Sequence, residues 1–464
     1  MSLDFNISRQ LLEFDDAPLV NLIQYSIQQD CIHPSNFSDF TVVLINTTVI
    51  VTGGNAQSLQ VWSRDLINAP ENCWIFHESN QTDLYLPYRN GIGFKVSDTA
   101  IAAQAGDSNT SLLSNLSFFD LVTKTWSTPT IFQGTPPSAR ARMSVSLNTT
   151  THIAYFYGGR TELMQPSSSN YYNAFYSFDI NTLTWHWPDT LYSGGNRAAR
   201  YGHSSNLISE RLFIIGGKTA VYASDLDHWV TSPVDLQSVL IYDTVQHQAV
   251  TMAALGNIPS SRYSFSAVNG PDGKSIVLFG GQNASNNHLF DAYNDVYVLD
   301  TCTLNWSQPI IKGTPPVARA GHEAILFQDQ YMVIMMGIQN YSSGSGPVYI
   351  DDTAVLDMNS WTWISHIPSH LSQPTTPPTC RFSFPVVIPD DTRDGNTTAF
   401  DPTVVSNTDT SPTTKQLALG ITFGVLGFLL LATAAVIFIL RIRKDVDATQ
   451  NPRWLRRKKK EPLS

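Results

Sequence analysis

Residues 262–306 read RYSFSAVNGPDGKSIVLFGGQNASNNHLFDAYNDVYVLDTCTLNW, and the parts of this stretch return along most of the first 370 residues. An alternating apolar run, SIVLF, ends on Gly280 and Gly281; a second run, DVYVLD, ends on Asp300, and Trp306 follows six residues later. Short alternating runs bounded by glycine or by an Asp turn have the period of strands. The stretch predicts two strands with a marked turn after each, and it is one repeat unit.

The glycine mark recurs in VIVTGG (Gly53, Gly54), AAQAG (Gly106 after Ala105), YFYGG (Gly158, Gly159), FIIGG (Gly216, Gly217) and MVIMMG (Gly337 after Met336). Successive marks lie about fifty to sixty residues apart, the spacing of a repeat array. A second mark places Ser or Thr three residues and Trp six residues after an Asp: Asp120/Thr123/Trp126, Asp179/Thr182/Trp185, Asp300/Thr303/Trp306 and Asp357/Ser360/Trp363. A third joins successive units by a Gly six residues before an Arg, in GTPPSAR to Arg140, GGNRAAR to Arg200, GNIPSSR to Arg262 and GTPPVAR to Arg319.

Each residue type has a physical job in such a unit. A glycine pair at a strand end permits positive φ and close backbone approach. The Asp and Ser/Thr hold backbone N–H groups within a hairpin loop. Trp offers a large apolar face to a neighbouring sheet. A four-stranded antiparallel sheet of this kind cannot cover both faces alone, so the copies must pack face to face around an axis.

The three marks together resemble the Kelch family, the β-propeller class that also contains galactose oxidase. The resemblance covers about residues 36 to 390. It implies an all-β Kelch-type propeller of six sequence repeats in a ring of six or seven blades. TPPTCRFSFPVVIP, with Thr376, Pro377, Pro378 and Arg381, repeats the linker once more, and residues 1–35 could help it close the ring. Two units depart from the pattern: the fourth keeps Tyr242 and Asp243 but has Ala249 in place of Trp, and the first has Trp74 without an Asp six residues before it. Insertions at 162–170, 219–234, 283–292 and 339–349 all follow the glycine mark, which puts them on one rim. A protein or glycan ligand is expected there.

Composition narrows the setting. The 464 residues carry a net charge of −10, and nine Lys/Arg against three acids sit in the last 24, so the repeats are strongly acidic and nucleic acid is not an expected partner. Residues 391–416 are rich in Thr, Ser and Pro and predict a disordered stalk. Residues 417–440, LALGITFGVLGFLLLATAAVIFIL, are uncharged; as a helix they span about 36 Å, enough for a bilayer core of about 30 Å. The basic tail at 441–464 (Arg441, Arg443, Lys444, then Arg453 and Arg456 to Lys460) is expected inside, on anionic lipid, with the propeller outside. This predicts a single-pass type I protein of the plasma membrane or an endomembrane, and its layout resembles that of membrane-anchored Kelch proteins of fungi. Met1 to Gln10 shows neither a basic n-region nor an apolar h-region, so an export signal is expected upstream unless the chain leaves by another route.

Eleven Asn-x-Ser/Thr sequons precede the apolar segment: Asn6, Asn36, Asn46, Asn80, Asn109, Asn115, Asn148, Asn283, Asn305, Asn340 and Asn396. Four cysteines, Cys31, Cys73, Cys302 and Cys380, lie on the same side and fit two disulfides. A Cys31–Cys380 bond would lock the ends of the array, though spacing does not fix the connectivity. No catalytic, cofactor-binding or metal residue is assigned. The galactose-oxidase resemblance makes a copper oxidase the rival, with His203 and His322 as candidate ligands; both stand where ordinary Kelch repeats carry a structural His. Asp351/Asp352 and Asp15/Asp16 are read as turn chemistry and solvated charge. A cytosolic polarity scaffold is a third reading, but the coiled-coil heptads it would carry are absent.

Overall fold

In the computed structural model the described residues run from 34 to 368, except 36, 55–59, 70–72, 79–87, 105, 107–115, 130–132, 139, 162–169, 194–196, 226, 286–290 and 340–345. Every described element is a strand or a turn. Six sheets, each with four antiparallel main strands, follow one another along the chain, and three of them gain a short fifth strand. Blade 1 is Phe40–Ile45, Thr48–Gly53, Val61–Asp65 and Ile75–His77; blade 2 is Ile92–Lys95, Ala100–Gln104, Leu116–Asp120 and Thr125–Ser127. Blade 3 is Ser144–Asn148, Ile153–Tyr157, Phe175–Asp179 and Thr184–His186; blade 4 is Ser204–Ile208, Arg211–Ile215, Ser238–Asp243 and Gln248–Ala253. Blade 5 is Ser266–Asn269, Ser275–Phe279, Val296–Asp300 and Asn305–Ser307; blade 6 is Glu323–Phe327, Tyr331–Gln339, Val348–Asp357 and Thr362–Ile364.

The first strand of each blade lies innermost and packs against the first strands of both neighbours, blade 6 against blade 1 included. The ring therefore closes at six among the described residues. Residues 1–33 and 369–390, the expected candidates for a further blade, lie outside them, as do the stalk at 391–416, the apolar segment at 417–440 and the basic tail.

The core is divided into wedges between blades. One cluster joins Phe213, Ile215 and Ile241 of blade 4 to Ile276, Leu278 and Leu299 of blade 5. Another joins Val49, Val51 and Trp62 of blade 1 to Ile325, Phe327 and Val333 of blade 6. The other four interfaces are filled in the same way. SIVLF, Ser275–Phe279, is buried along its whole length, because a second strand has a blade on each side of it.

The three marks now have mechanisms. At the Asp mark, the Oδ1 of Asp300 accepts the N–H groups of Cys302 and Thr303, both at 2.9 Å. Asp120 does the same for Val122 and Thr123, and Asp179 for Asn181 and Thr182. Asp357 accepts from the N–H of Asn359 and the hydroxyl of Ser360. Asp243 holds Val245 and Gln246 in the fourth unit. The first unit does have its Asp. Asp65 accepts from Ile67 and Asn68 at 2.8 and 2.9 Å, and it was hidden because the chain to Trp74 is three residues longer than elsewhere.

Three of the four marker tryptophans are buried and pack toward the preceding blade: Trp126 between blades 1 and 2, Trp185 between 2 and 3, Trp306 between 4 and 5. Trp306 also donates its indole N–H to Leu236 O at 3.0 Å. Trp363 is less enclosed. It faces the wedge between blades 5 and 6 and meets Phe279 edge-on at 5.6 Å, but it is only half-buried. Met332, Leu356 and Met358 already fill the core of that wedge, and Trp363 shares its border with Trp361 and Ile311, so the indole covers the cluster from outside. Where Ala249 replaces Trp, a stack of Tyr157, Phe175 and Tyr242, with centroids 4.3 and 4.0 Å apart, fills the wedge.

The linker glycine lies against the carbonyl of the next Trp. A Cβ at Gly134 would sit 2.0 Å from Trp185 O, and one at Gly256 would sit 2.3 Å from Trp306 O. The paired glycines are equally constrained: Gly281 has φ +92°, and a Cβ there would meet Phe265 Cβ at 2.5 Å.

The marker arginines are buried struts. Arg262 donates to Ser260 O (3.1 Å) and Gly280 O (2.9 Å), pairs with both oxygens of Asp295 and stacks on Tyr293 at 4.2 Å. Arg319 repeats this with Val317 O, Met336 O and Asp352. Asp352 is thus not a turn residue: it lies within a strand and anchors Arg319 with a side chain that stays 44% exposed, and Asp351 is exposed as expected. Arg140 has Ser138 O, Gly158 O and the ring of Tyr172 at 3.7 Å.

Candidate functional site

The residue two places after each marker position adopts a left-handed conformation: Asp39, Asn90, Arg142, Gly202, Ser264 and Gly321, with φ between +51° and +64°. These six residues stand at the head of the six inner strands. Backbone hydrogen bonds run between them around the axis: Asn90 N–H to Asp39 O (2.7 Å), Arg142 to Asn90 (2.9 Å), Gly202 to Arg142 (3.0 Å), Gly321 to Ser264 (2.9 Å) and Asp39 to Gly321 (2.7 Å). Only two are glycine, so the ring closure holds four L-residues in a conformation they rarely adopt.

This girdle encloses an axial mouth with a cavity of about 90 Å³, lined also by Phe40, Met143, His203, Phe265, His322 and Glu323. Its position relative to the insertions follows from strand register. The head of each inner strand pairs with the glycine-marked end of the second strand, as Phe40 does with Gly53 and Ser266 with Phe279. The mouth and the insertions after the glycine mark therefore share one face. There Lys218–Ala223 and His228–Pro233 form a hairpin docked on Ala199–Tyr201, and Arg160–Thr161 pairs with Asn170–Tyr171. Trp229 and Tyr171 pack beneath the hairpin, 5.0 Å apart.

Charge in the mouth is divided. Arg142 reaches from blade 3 to Ser264 Oγ of blade 5 (2.8 Å) and lies 3.9 Å from Asp39 of blade 1. Lys218 lies over Tyr263 at 4.6 Å and Arg160 over Tyr201 at 5.0 Å. Burial, and then the charges of Arg142 and Arg160, lower the Lys218 ammonium from its usual value, so blades 3 and 4 carry a crowded set of cations. Across the axis, desolvation and then the Asp39 carboxylate push Glu323 up to about 8. Sister blades have Thr41, Ile92, Ser144, Ser204 and Ser266 at this position.

His203 and His322 are buried at the rim of the cavity. Burial, and then Arg200 and Arg319 respectively, push each down to about 3, so both are neutral. His203 Nε2 meets Ser144 Oγ at 2.8 Å, and its ring packs against Tyr157; His322 packs edge-on against Phe279. Each fills the contact with the preceding blade. Among the described residues no three His, Cys, Asp or Glu side chains converge as a metal-binding set.

Of the sequon asparagines, Asn46 and Asn305 are exposed, both at the end of the ring opposite the mouth. Asn148 and Asn283 are half-buried, and their amide oxygens accept backbone N–H groups of Thr150, Thr151 and Ser285. Asn6, Asn36, Asn80, Asn109, Asn115, Asn340 and Asn396 lie outside the described residues. So do Cys31, Cys380, Asp15 and Asp16. Cys73 and Cys302 are both disulfide-bonded.

The girdle escaped sequence reading because its six positions share no residue type. Tyr88 and Phe37 escaped too: they fill the buried Arg position in blades 2 and 1. Arg89 is one residue beyond that position and reaches Tyr349 of blade 6 at 3.0 Å. Counting two residues back from the head of each inner strand would have found both substitutions.

Fold and site define a six-bladed propeller of the Kelch type with an open, insertion-bearing axial mouth. The profile of the KLHDC2/KLHL20/DRC7 Kelch-repeats domain matches residues 20–226 and 228–393, and the chain belongs to that family. It is 27% identical over 249 residues to acyl-CoA-binding domain-containing protein 5 of Arabidopsis thaliana, which covers 52% of this chain and 34% of that one. It is 25% identical over 238 residues to human Kelch domain-containing protein 3, covering 50% of this chain and 57% of the relative. With the Drosophila melanogaster host cell factor the figures are 23% over 286 residues, 56% and 17%. The chain thus spans little more than half of these relatives at most. The solved structure of YjhT shares the fold, with a TM-score of 0.52 at 13% identity, covering 72% of this chain and 98% of that one.

Proposed function

We propose that the protein is a non-catalytic binding module whose ligand, a protein segment, docks in the axial mouth and against the insertion rim. Kelch-repeat domains generally act as protein-interaction modules, which supports the class. The observation that carries the choice of face is the convergence of Arg142, Arg160 and Lys218 with the half-buried Tyr263 and Tyr349 around the mouth. Cations and aromatic rings on a rigid frame are what an interface uses as anchors. The opposite end of the ring offers tight turns and two exposed sequon asparagines.

In this reading the propeller faces the outside or a lumen, is N-glycosylated, and is tethered by residues 417–440 with the basic tail on cytoplasmic lipid. The disulfides of Cys73 and Cys302 support an oxidising compartment. The test displays full-length protein on cells and screens peptide and glycan libraries for binders. Arg142→Glu with Lys218→Glu should abolish binding of the selected ligands, while Val122→Asp on the opposite face should leave it intact. Binding that survives the double variant would overturn the choice of face. Digestion of intact cells with a glycosidase should shift the mobility of the chain, and no shift would overturn the topology.

A further inference from the structure

We infer that the ligand binds as an added β-strand along the open edge of the blade 4 rim hairpin, so that the partner is an extended protein segment with an apolar residue at its middle and carboxylates at the end that enters the mouth. This rests on the reading above and gives it a binding mode. The hairpin pairs with Ala199–Tyr201 through Lys218–Ala223, which leaves His228–Pro233 outermost. The other side of the sheet is already met by blade 3, where Arg200 N–H donates to Tyr172 O at 3.1 Å.

The direction of the main-chain groups follows from one bond. Val234 donates its N–H to Gly217 O at 3.0 Å. Pairs in an antiparallel ladder alternate between bonded and non-bonded. Ser232, Val230 and His228 therefore turn their main-chain groups inward to Thr219, Val221 and Ala223, while those of Trp229, Thr231 and Pro233 turn outward. Pro233 has no N–H to present, and the N–H groups of Trp229 and Thr231 meet no acceptor among the described residues. An edge with unpaired donors and acceptors is a template for a further strand, and strand addition is a common way to hold an extended peptide.

The side chains specify what fits. Trp229 faces the ring, 5.0 Å from Tyr171 and 5.5 Å from Tyr222, and fixes the hairpin in place. Val221 and Val230 stand directly opposite each other on the outer face, 46% and 42% exposed. An apolar residue of an added strand would extend that cross-strand pair. At the mouth end Pro233 lies opposite Lys218, and Lys218 opposite Tyr201, whose ring has Arg160 over it at 5.0 Å. The next residue, Gly202, donates its N–H to Arg142 O at 3.0 Å. Three cations thus gather where the edge meets the mouth, and carboxylates of the partner would offset their mutual repulsion.

The test takes a peptide selected on full-length protein whose binding is abolished by Arg142→Glu with Lys218→Glu. Its amides are N-methylated one at a time and the affinities measured by fluorescence polarisation. Each methyl removes a donor and obstructs pairing, so losses of about tenfold or more should fall on every second residue of a run. Thr231→Pro takes away an outward donor at a position equivalent to that of Pro233; it should weaken binding about tenfold and leave the melting temperature near that of wild type. Losses without a two-residue period would overturn strand addition and leave the mouth standing as the binding face. Failure to select any peptide that depends on Arg142 and Lys218 would overturn both. A dimer of the protein that Thr231→Pro dissolves would give the edge to a second copy and overturn the assigned partner. Should Thr231→Pro fail to fold, the methylation pattern on wild type decides.

Discussion

Replacing Arg262 with Met removes a guanidinium that is 1% exposed while keeping most of the side-chain volume. It leaves Gly280 O and Ser260 O without their donor, strips Asp295 of both bonds and loses the stack on Tyr293. Removing one partner of a buried ion pair costs about 3–5 kcal/mol. Asp295 is 25% exposed and can rehydrate, which places the cost near the lower end, about 3 kcal/mol. Arg140 provides the internal comparison, because its bonds run to carbonyl and hydroxyl oxygens and a Tyr ring rather than a carboxylate. Arg140→Met should cost about 1–2 kcal/mol, the range of one or two lost hydrogen bonds. The assay is urea unfolding followed by tryptophan fluorescence, with the two variants and Asp295→Asn measured against wild type. A cost for Arg262→Met within about 0.5 kcal/mol of zero, a surface substitution's range, would refute the view of the marker arginines as struts.

Gly281→Ala should destabilise by more than about 2 kcal/mol, because a Cβ would meet Phe265 Cβ at 2.5 Å; at Gly346, also at positive φ but with nothing within 4 Å, Ala should cost only about 1 kcal/mol. Trp306→Ala should cost about 3–5 kcal/mol, and the half-buried Trp363→Ala less than that, both read from the same urea curves. The pH dependence separates two kinds of buried group. Glu323, raised to about 8, contributes stability that is full below its unfolded value near 4.5 and lost as pH rises toward 8. His203 and His322, depressed to about 3, contribute stability present above 6.5 and lost as pH falls toward 3. Between pH 6.5 and 8 only the Glu323 slope remains of these three, so melting temperature should fall over that window in wild type and stay flat in Glu323→Gln; a slope that survives in the variant would refute the assignment.

Much of the ring was legible because each mark reports a local constraint repeated in chain order: a glycine where a Cβ would strike the neighbouring strand, an Asp where a hairpin needs its N–H groups capped. Asp65 was not legible, because a longer loop displaces it. The change to Ala249 was visible, but not its compensation by an aromatic stack from two blades that sequence proximity does not reveal. Nor does the mark at Trp363 disclose its partial exposure, which depends on how much of the wedge its neighbours already occupy. The mouth was read only as far as its rim, since the insertions follow the glycine mark visibly. Its charged residues converge from different blades, and Arg142 meets Ser264 across 122 residues of chain. Only the closure of the ring brings such residues together.

Hydrogen exchange of the intact protein, with and without a ligand selected on cells, tests most directly the claim that six blades close on a binding mouth. Protection should appear at Asp39, Asn90, Arg142, Gly202, Ser264 and Gly321 and along Lys218–Pro233. Protection confined to the opposite turns, around Asn46, Val122 and Val245, would contradict it.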